Sequence, residues 1–228
     1  MSDIQLPDMS LVEALQTRRS VRGYTDKTIP DDILKAVFTQ AQLAPSNCNT
    51  QPWKTYVASG ALRDSIRDTL VKKVISGEKV NYDFDYNNTF EGEYRTRQVD
   101  CAAAMYGEMG ITREDREGRG RAGLRNFELF DAPYVAFFGM ERQFGATIAL
   151  DVGMYAQSLM LMLTAYGIGS CAMGSMRNYP DVVREAFGID DNIGILFGMT
   201  FGYEDTAVPA NNTRVGRESV DDVVVFKS

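Results

Sequence analysis

The sequence predicts an α+β sandwich, and three observations carry that prediction. Helical spacings and short apolar runs follow one another helix-first and in mixed order, not as a regular strand–helix–strand series. No repeat and no proline- or serine-rich linker divides the 228 residues. Residues 152–176 carry no charged side chain, as expected of a helix and strand at the centre of a core or a subunit interface.

Residues 10–18 have helical spacing, with Leu11, Ala14 and Leu15 on one face and Ser10 as the cap. Pro30-Asp31-Asp32 suits a helical first turn, and Ile33, Leu34, Val37, Phe38 and Ala41 continue that helix. Residues 44–52 hold two prolines and a density of polar side chains, which makes them a loop. Residues 53–58 read as a strand and 62–75 as a helix; 77–93, rich in Tyr, Asn and Asp, read as a loop or lid. Helices are expected over 94–109 and 112–130 with a break near Gly110, making 77–130 an inserted helical lid region within one domain, 1–228. The apolar run 133–140 is a buried strand. A helix over 147–166, ended by Gly167, precedes a strand at 170–173, a helix at 180–187, a strand at 193–203 and a terminal strand at 223–226.

Composition narrows the function. With 24 basic and 31 acidic residues the net charge is -7, so no nucleic-acid partner is expected. Any anionic ligand must be held by local cations. Residues 152–176 exceed the roughly 18 residues that raise a transmembrane flag. They contain Gly153, Gln157, Ser158 and Thr164, and Asp151 heads them, so a core helix and no membrane span is expected. Cys48, Cys101 and Cys171 are widely spaced and form no C-x-x-C pair, which suits a reducing compartment. Residues 1–5 show no basic n-region or apolar h-region, so a cytoplasmic protein is expected. There is no histidine, which removes Ser-His-Asp and Cys-His catalysis and H-E-x-x-H zinc sites. An enzyme of this composition draws its chemistry from a cofactor.

Several motifs fail their own structural requirements. Gly118, Gly120 and Gly123 spell G-x-G-x-x-G, but the flanks are charged helix and no strand precedes them. There is no Walker A motif, and no tyrosine is followed four residues later by lysine. Asn87-Asn88-Thr89 and Asn211-Asn212-Thr213 match a glycosylation sequon that has no meaning without a secretory leader.

Three polar clusters remain. Arg18-Arg19-Ser20-Val21-Arg22 offers three guanidiniums and a hydroxyl, suited to a phosphate; it also reads as a solvated helix C-terminus. Pro45-Ser46-Asn47-Cys48-Asn49-Thr50-Gln51-Pro52-Trp53 supplies donors and acceptors of the kind a heterocycle edge or polyol requires, and equally reads as a capped turn. Arg214-Val215-Gly216-Arg217 is again cationic. Together they suggest a bound phosphorylated cofactor.

The first two clusters, extended to Gly23-Tyr24 and back to Ala44, resemble the N-terminal signatures of the FMN-dependent nitroreductase family. Gly167-Ile168-Gly169-Ser170-Cys171-Ala172-Met173-Gly174 resembles its third signature, and Arg214 and Arg217 its C-terminal basic pair. Residues 94–133, with Gly110-Ile111-Thr112-Arg113 and Phe130-Asp131-Ala132-Pro133, resemble the nitrobenzoate-reductase-like branch.

The resemblance implies a nitroreductase-like sandwich, with a mixed, mainly antiparallel central sheet flanked by helices, in an intertwined homodimer with FMN in two interfacial pockets. It implies that Arg18, Arg19, Ser20, Arg214 and Arg217 hold the phosphate and ribityl end, and that Arg22 sits near flavin N1 and O2. Pro45, Ser46, Asn47, Asn49 and Gln51, from the partner chain, would line the ribityl and a flavin edge. Met173 and Gly174 would lie at the flavin, with the Gly174 amide toward N5, and Asn126 at the pyrimidine edge. No side chain need be catalytic: NAD(P)H would give a hydride to N5 and leave, and a nitroaromatic or quinone would then be reduced, in a ping-pong sequence. Tyr82, Phe84, Tyr86, Phe90 and Tyr94 would form the substrate lid, or else pack between helices.

Two departures from the family pattern stand out: Met173-Gly174-Ser175 replaces an acid–glycine pair, and Ser219 stands where a proline is common. The alternatives are a reductive dehalogenase or ene-reductase on the same fold, or a non-catalytic flavin-binding protein. For the first, Glu91, Glu93 and Tyr94 are present, but Arg95 and Arg97 stand where a lysine is wanted.

Overall fold

The computed structural model describes residues 7–86 and 89–228; residues 1–5, read above for a leader, and Asn87-Asn88 of the first sequon lie outside that range. The elements run α1 (Leu11–Thr17), α2 (Asp31–Ala41), β1 (Lys54–Ser59), α3 (Gly60–Ile75), α4 (Gly92–Glu108), α5 (Arg116–Leu124), β2 (Tyr134–Glu141), α6 (Ala146–Ala165), β3 (Gly169–Met173), α7 (Pro180–Phe187), β4 (Ile193–Gly202) and α8 (Val220–Val223). The strands form one antiparallel sheet in the order β1-β2-β4-β3. The α+β class is as expected. The mixed character reduces to a single parallel bridge, Ser20 to Ser170, beside β3.

Strand alternation sorts the core into two layers. Val135 and Phe137 of β2 join Ile66, Leu70 and Val183 from α3 and α7 on one face. Ala136, Phe138 and Met140 join Val37, Tyr155 and Leu159 from α2 and α6 on the other. A register shift falls between Phe138 and Gly139, where a side chain would meet the Gly194 carbonyl oxygen at 2.6 Å. Ser10 caps α1 through a capping box with Glu13, accepting from the Glu13 amide at 3.2 Å while its own amide donates to the Glu13 carboxylate at 2.8 Å.

Helix α6 is long and apolar enough to cross a membrane by length and composition, yet it lies on the sheet. Val152, Tyr155, Ala156, Leu159 and Leu163 face the core, while Leu150 and Met154 are exposed on the other side. Its core role holds for one face only. Gly167, in the left-handed region at φ 71°, ends it.

Two expectations are corrected. The helix expected over 112–130 is α5 alone, because the Asp115 carboxylate caps it by accepting from the Gly118 amide at 2.7 Å, and left-handed backbone at Leu129–Asp131 stops any continuation. Gly118, Gly120 and Gly123 fall on or beside this helix, not in a phosphate loop. The terminal strand expected at 223–226 does not form. Ser219 instead starts the single turn α8, and Val225 and Phe226 stand exposed with no strand beside them among the described residues.

Candidate active site

Beyond α1 the chain runs alongside β3. Val21 donates its amide to the Ser170 carbonyl at 3.0 Å, and its side chain occupies the space a Cβ on Gly169 would need. The Tyr24 hydroxyl, buried, donates to the Val21 carbonyl at 2.7 Å; burial pushes this phenol well up, so it is a neutral strut. Asn211 fastens the other side of the segment. Its buried amide accepts from the Arg22 N–H at 2.6 Å and donates to the carbonyls of Gly23 at 2.9 Å and Asp205 at 2.8 Å. The sequence reading met Asn211 only as a sequon. Its role depends on a partner 189 residues away in sequence, which no local pattern shows.

The basic residues separate into three neighbouring cavities. Arg18, Arg19 and Arg214 converge on one of about 520 Å³ that also touches Thr164 and Gly169. Arg19 is spent there: Glu204 takes its guanidinium at 2.5 Å in a half-buried pair. Arg18 makes no ion pair or side-chain hydrogen bond among the described residues, and the Arg214 Nη1 reaches only the carbonyls of Asn211 and Thr213. Arg217 lines the adjoining cavity, with Arg97 and Cys101, and donates to the Val215 and Gly216 carbonyls. Arg22 enters a third cavity of about 290 Å³, with Met105, Met109, Phe130 and Pro209. Ser20 lies against the Cys171 thiol, which burial pushes up and keeps protonated and inert.

The polar loop lies elsewhere. The Ser46 hydroxyl accepts from the Gln51 amide at 2.9 Å, and the Asn47 amide donates to buried Asp151 at 3.1 Å. Cys48, Asn49 and Gln51 all adopt left-handed backbone, so the stretch includes one tight turn at Asn47–Asn49. Pro45, Asn47, Asn49 and Gln51 are exposed. Trp53, stacked on Tyr155 with centroids 4.8 Å apart, anchors the loop to α6. Asp151 and Thr164 mark the loop and the cation cavity on one helix, about 20 Å apart along its axis at 1.5 Å per residue. One chain therefore does not bring the two clusters together.

At the end of β3, Met173 is buried and Gly174 exposed, opening a tight turn over Gly174–Asn178. Asn126 caps the end of α5 locally, donating to the Gly123 carbonyl at 3.2 Å, and does not line the Arg22 cavity. The aromatic segment divides. Tyr86 donates its hydroxyl to the Leu196 carbonyl at 3.0 Å, and Phe84 packs on Gly194. Between them the Asp83 side chain is 2% exposed, binds Arg184 at 2.7 Å and Arg142, and accepts from the Ile195 amide at 2.8 Å. Residues 82–86 are thus a strap held to the sheet, whereas Phe90 and Tyr94 are exposed on and before α4. Sequence reading missed Asp83, whose arginines lie 59 and 101 residues on. Arg97 binds Glu93 at 2.8 Å and Glu218 at 2.7 Å, which occupies the cation that a dehalogenase lid would need free.

Residues 15–203 match the Nitroreductase family. Nitroreductase NfnB of Mycolicibacterium smegmatis is 35% identical over 225 residues, covering 96% of this chain and 95% of that protein. The 4-nitrobenzoate reductase of a Nocardioides species is 30% identical, covering 98% and 92%. Among solved structures, the FMN-dependent nitroreductase NfnB from Mycobacterium smegmatis, in complex with NADPH, has a TM-score of 0.90 at 34% identity over 96% of this chain and all (100%) of that one. The FMN- and NADPH-dependent nitroreductase NfnB of Sphigopyxis sp. strain HMH has a TM-score of 0.92 at 31% identity, with the same coverage. With helices on both faces of one antiparallel sheet and a cationic cavity beside β3, the chain belongs to the Nitroreductase family.

Proposed function

We propose that the protein is an FMN-dependent NAD(P)H nitroreductase that reduces nitroaromatics or quinones and works as a cytoplasmic homodimer. The observation that carries this reading is the convergence of Arg18 and Arg214 on one cavity in an acidic chain, with no carboxylate paired to either among the described residues. A phosphate monoester fits that donor set: a planar fork from Arg18 and a second cation from Arg214, while Ser20 is turned to Cys171 and is not among the residues lining the cavity. Glu204 is already neutralised by Arg19, so Arg19 acts by silencing an acid at the rim.

FMN, when bound, supplies two-electron transfer between a nicotinamide and an oxidant. The chain's contribution is position and charge. Asn211 and Tyr24 fix the Arg22 backbone, so its guanidinium is a standing cation for the electron-rich end of a reduced ring. Gly174, exposed at the end of β3, begins the turn whose backbone this reading sets toward the reacting edge of the cofactor. The absence of histidine is consistent with protons drawn from water.

The homodimer reading rests on two features. The polar loop and the cation cavity lie about 20 Å apart on α6, so a second copy crossing α6 would bring one chain's loop to the other's cavity. Leu11 and Leu15 of α1, Leu150 and Met154 of α6, and Phe226 are exposed apolar surface for it to cover. Residues 77–130 form the lid region in this reading, with Phe90 and Tyr94 as exposed aromatics outside the strap, Tyr94 beneath the Arg97 guanidinium.

The test is an anaerobic absorption spectrum of the purified protein. Flavin bands that bleach with NADPH and return on adding a nitroaromatic support the reading. A protein that holds FMN but does not bleach would be a flavin binder and no reductase.

A further inference from the structure

The turn after β3 contains a cation that none of the roles above uses. Arg177 has no carboxylate partner among the described residues. Its guanidinium lies over the Tyr86 ring at 4.1 Å and beside the Tyr82 ring at 5.8 Å. The two rings meet edge to face at 5.8 Å. On its other side, Arg177 Nη1 is 3.4 Å from where a Cβ on Gly174 would stand. Five buried side-chain polar atoms lack a hydrogen-bond partner among the described residues, and two of them, Ser175 Oγ and Arg177 Nε, fall in this turn. Buried donors are nearly always satisfied, because an unmade bond costs about 1–3 kcal/mol. In an acidic chain, no carboxylate of the described residues pairs with Arg177.

The strap explains how the cation is held. Asp83, three residues before Tyr86, is locked between Arg142 and Arg184, so the strap backbone is pinned, Tyr86 is anchored through its hydroxyl to the Leu196 carbonyl, and Asp83 has no capacity left for Arg177. A planar guanidinium stacked on the Tyr86 ring, with Tyr82 at its side, presents its fork along one edge, the geometry that matches a carboxylate. Here that edge is beside Gly174.

We propose that Arg177 is a substrate-binding residue that selects aromatic oxidants bearing an anionic group, a carboxylate above all, with Tyr82 and Tyr86 flanking the ring. The inference rests on the reading of Gly174 as the point nearest the reacting edge of the cofactor. Arg177 binds the anion and takes no part in electron transfer.

The experiment uses FMN-loaded protein and two isosteric pairs that differ in charge: 4-nitrobenzoate against 4-nitrobenzamide for turnover with NADPH, and benzoate against benzamide for binding by calorimetry. Arg177→Gln is expected to raise KM for 4-nitrobenzoate and Kd for benzoate by about tenfold, the factor that corresponds to 1.4 kcal/mol. The amides should change by less than about twofold, well under that same unit. Arg177→Lys should recover part of the loss, and FMN content should be unchanged in both variants. Equal losses for acid and amide, loss of FMN, or no change for the acid would each overturn the proposal. A wild-type protein that fails to turn over any nitroaromatic would instead overturn the nitroreductase reading, and benzoate binding would still decide the role of Arg177.

Discussion

Replacing Arg18 and Arg214 together by alanine yields protein that purifies without flavin and has an FMN affinity at least about 100-fold below wild type. The magnitude follows from charge-assisted hydrogen bonds of about 1.5–3 kcal/mol each, so each single variant should lose about tenfold or more. The two cations share one cavity and no acid in the described residues offsets either, so nothing else there replaces them. The same account predicts a contrast at Arg19. Because it is committed to Glu204, the paired change Arg19→Gln with Glu204→Gln should leave FMN affinity within about threefold, under 1 kcal/mol. Fluorescence titration of apoprotein with FMN measures all four. If Arg19 proved as costly as Arg18, the cavity would be binding phosphate through a different set of donors.

Asp83→Ala should lower unfolding free energy by about 3 kcal/mol, the lower end for removing one partner of a buried ion pair. The carboxylate is nearly inaccessible, and its removal strands the Arg184 guanidinium and the Ile195 amide without an acceptor. Arg142 is more exposed and re-solvates, which keeps the loss from being larger. At about 2–4 °C per kcal/mol for a chain of this size, thermal melts should fall by about 6–12 °C. The loss should be accompanied by release of the strap, visible as faster amide exchange at residues 82–86. A melt within 2 °C of wild type, a change of about 1 kcal/mol or less, would show that Phe84 and Tyr86 hold the strap alone.

Much of the frame was legible because local chemistry wrote it. The Ser10 cap, the Pro30-Asp31-Asp32 first turn, the glycine after α6 and the continuous apolar run of β2 each act within a few residues, and each element formed where expected. The C-terminal strand was not legible in this way. Val223–Phe226 has strand composition, but no neighbouring edge among the described residues receives it, and β-propensity without a partner does not make a strand. The site shows the same division. Arginine clusters announce an anion by residue type, whereas their distribution over three cavities depends on which acids the fold delivers to them. Glu204 reaches Arg19 across 185 residues, and no sequence spacing signals that. The strap is similar: its aromatics suggested a lid, and Asp83 binds them to the sheet through arginines far along the chain.

The central claim is that one chain's cations and another chain's polar loop make each site. It is tested most directly by mixing two defective chains. One carries Arg18→Ala with Arg214→Ala; the other carries Ser46→Ala with Asn49→Ala. Each alone should bind little FMN. Co-expressed in equal amounts, half of randomly paired dimers are mixed, and each mixed dimer has one intact site, so about a quarter of all sites should regain flavin. Recovery near that fraction is the predicted result. No recovery above the separate variants would contradict the account and place both elements in a site made by one chain.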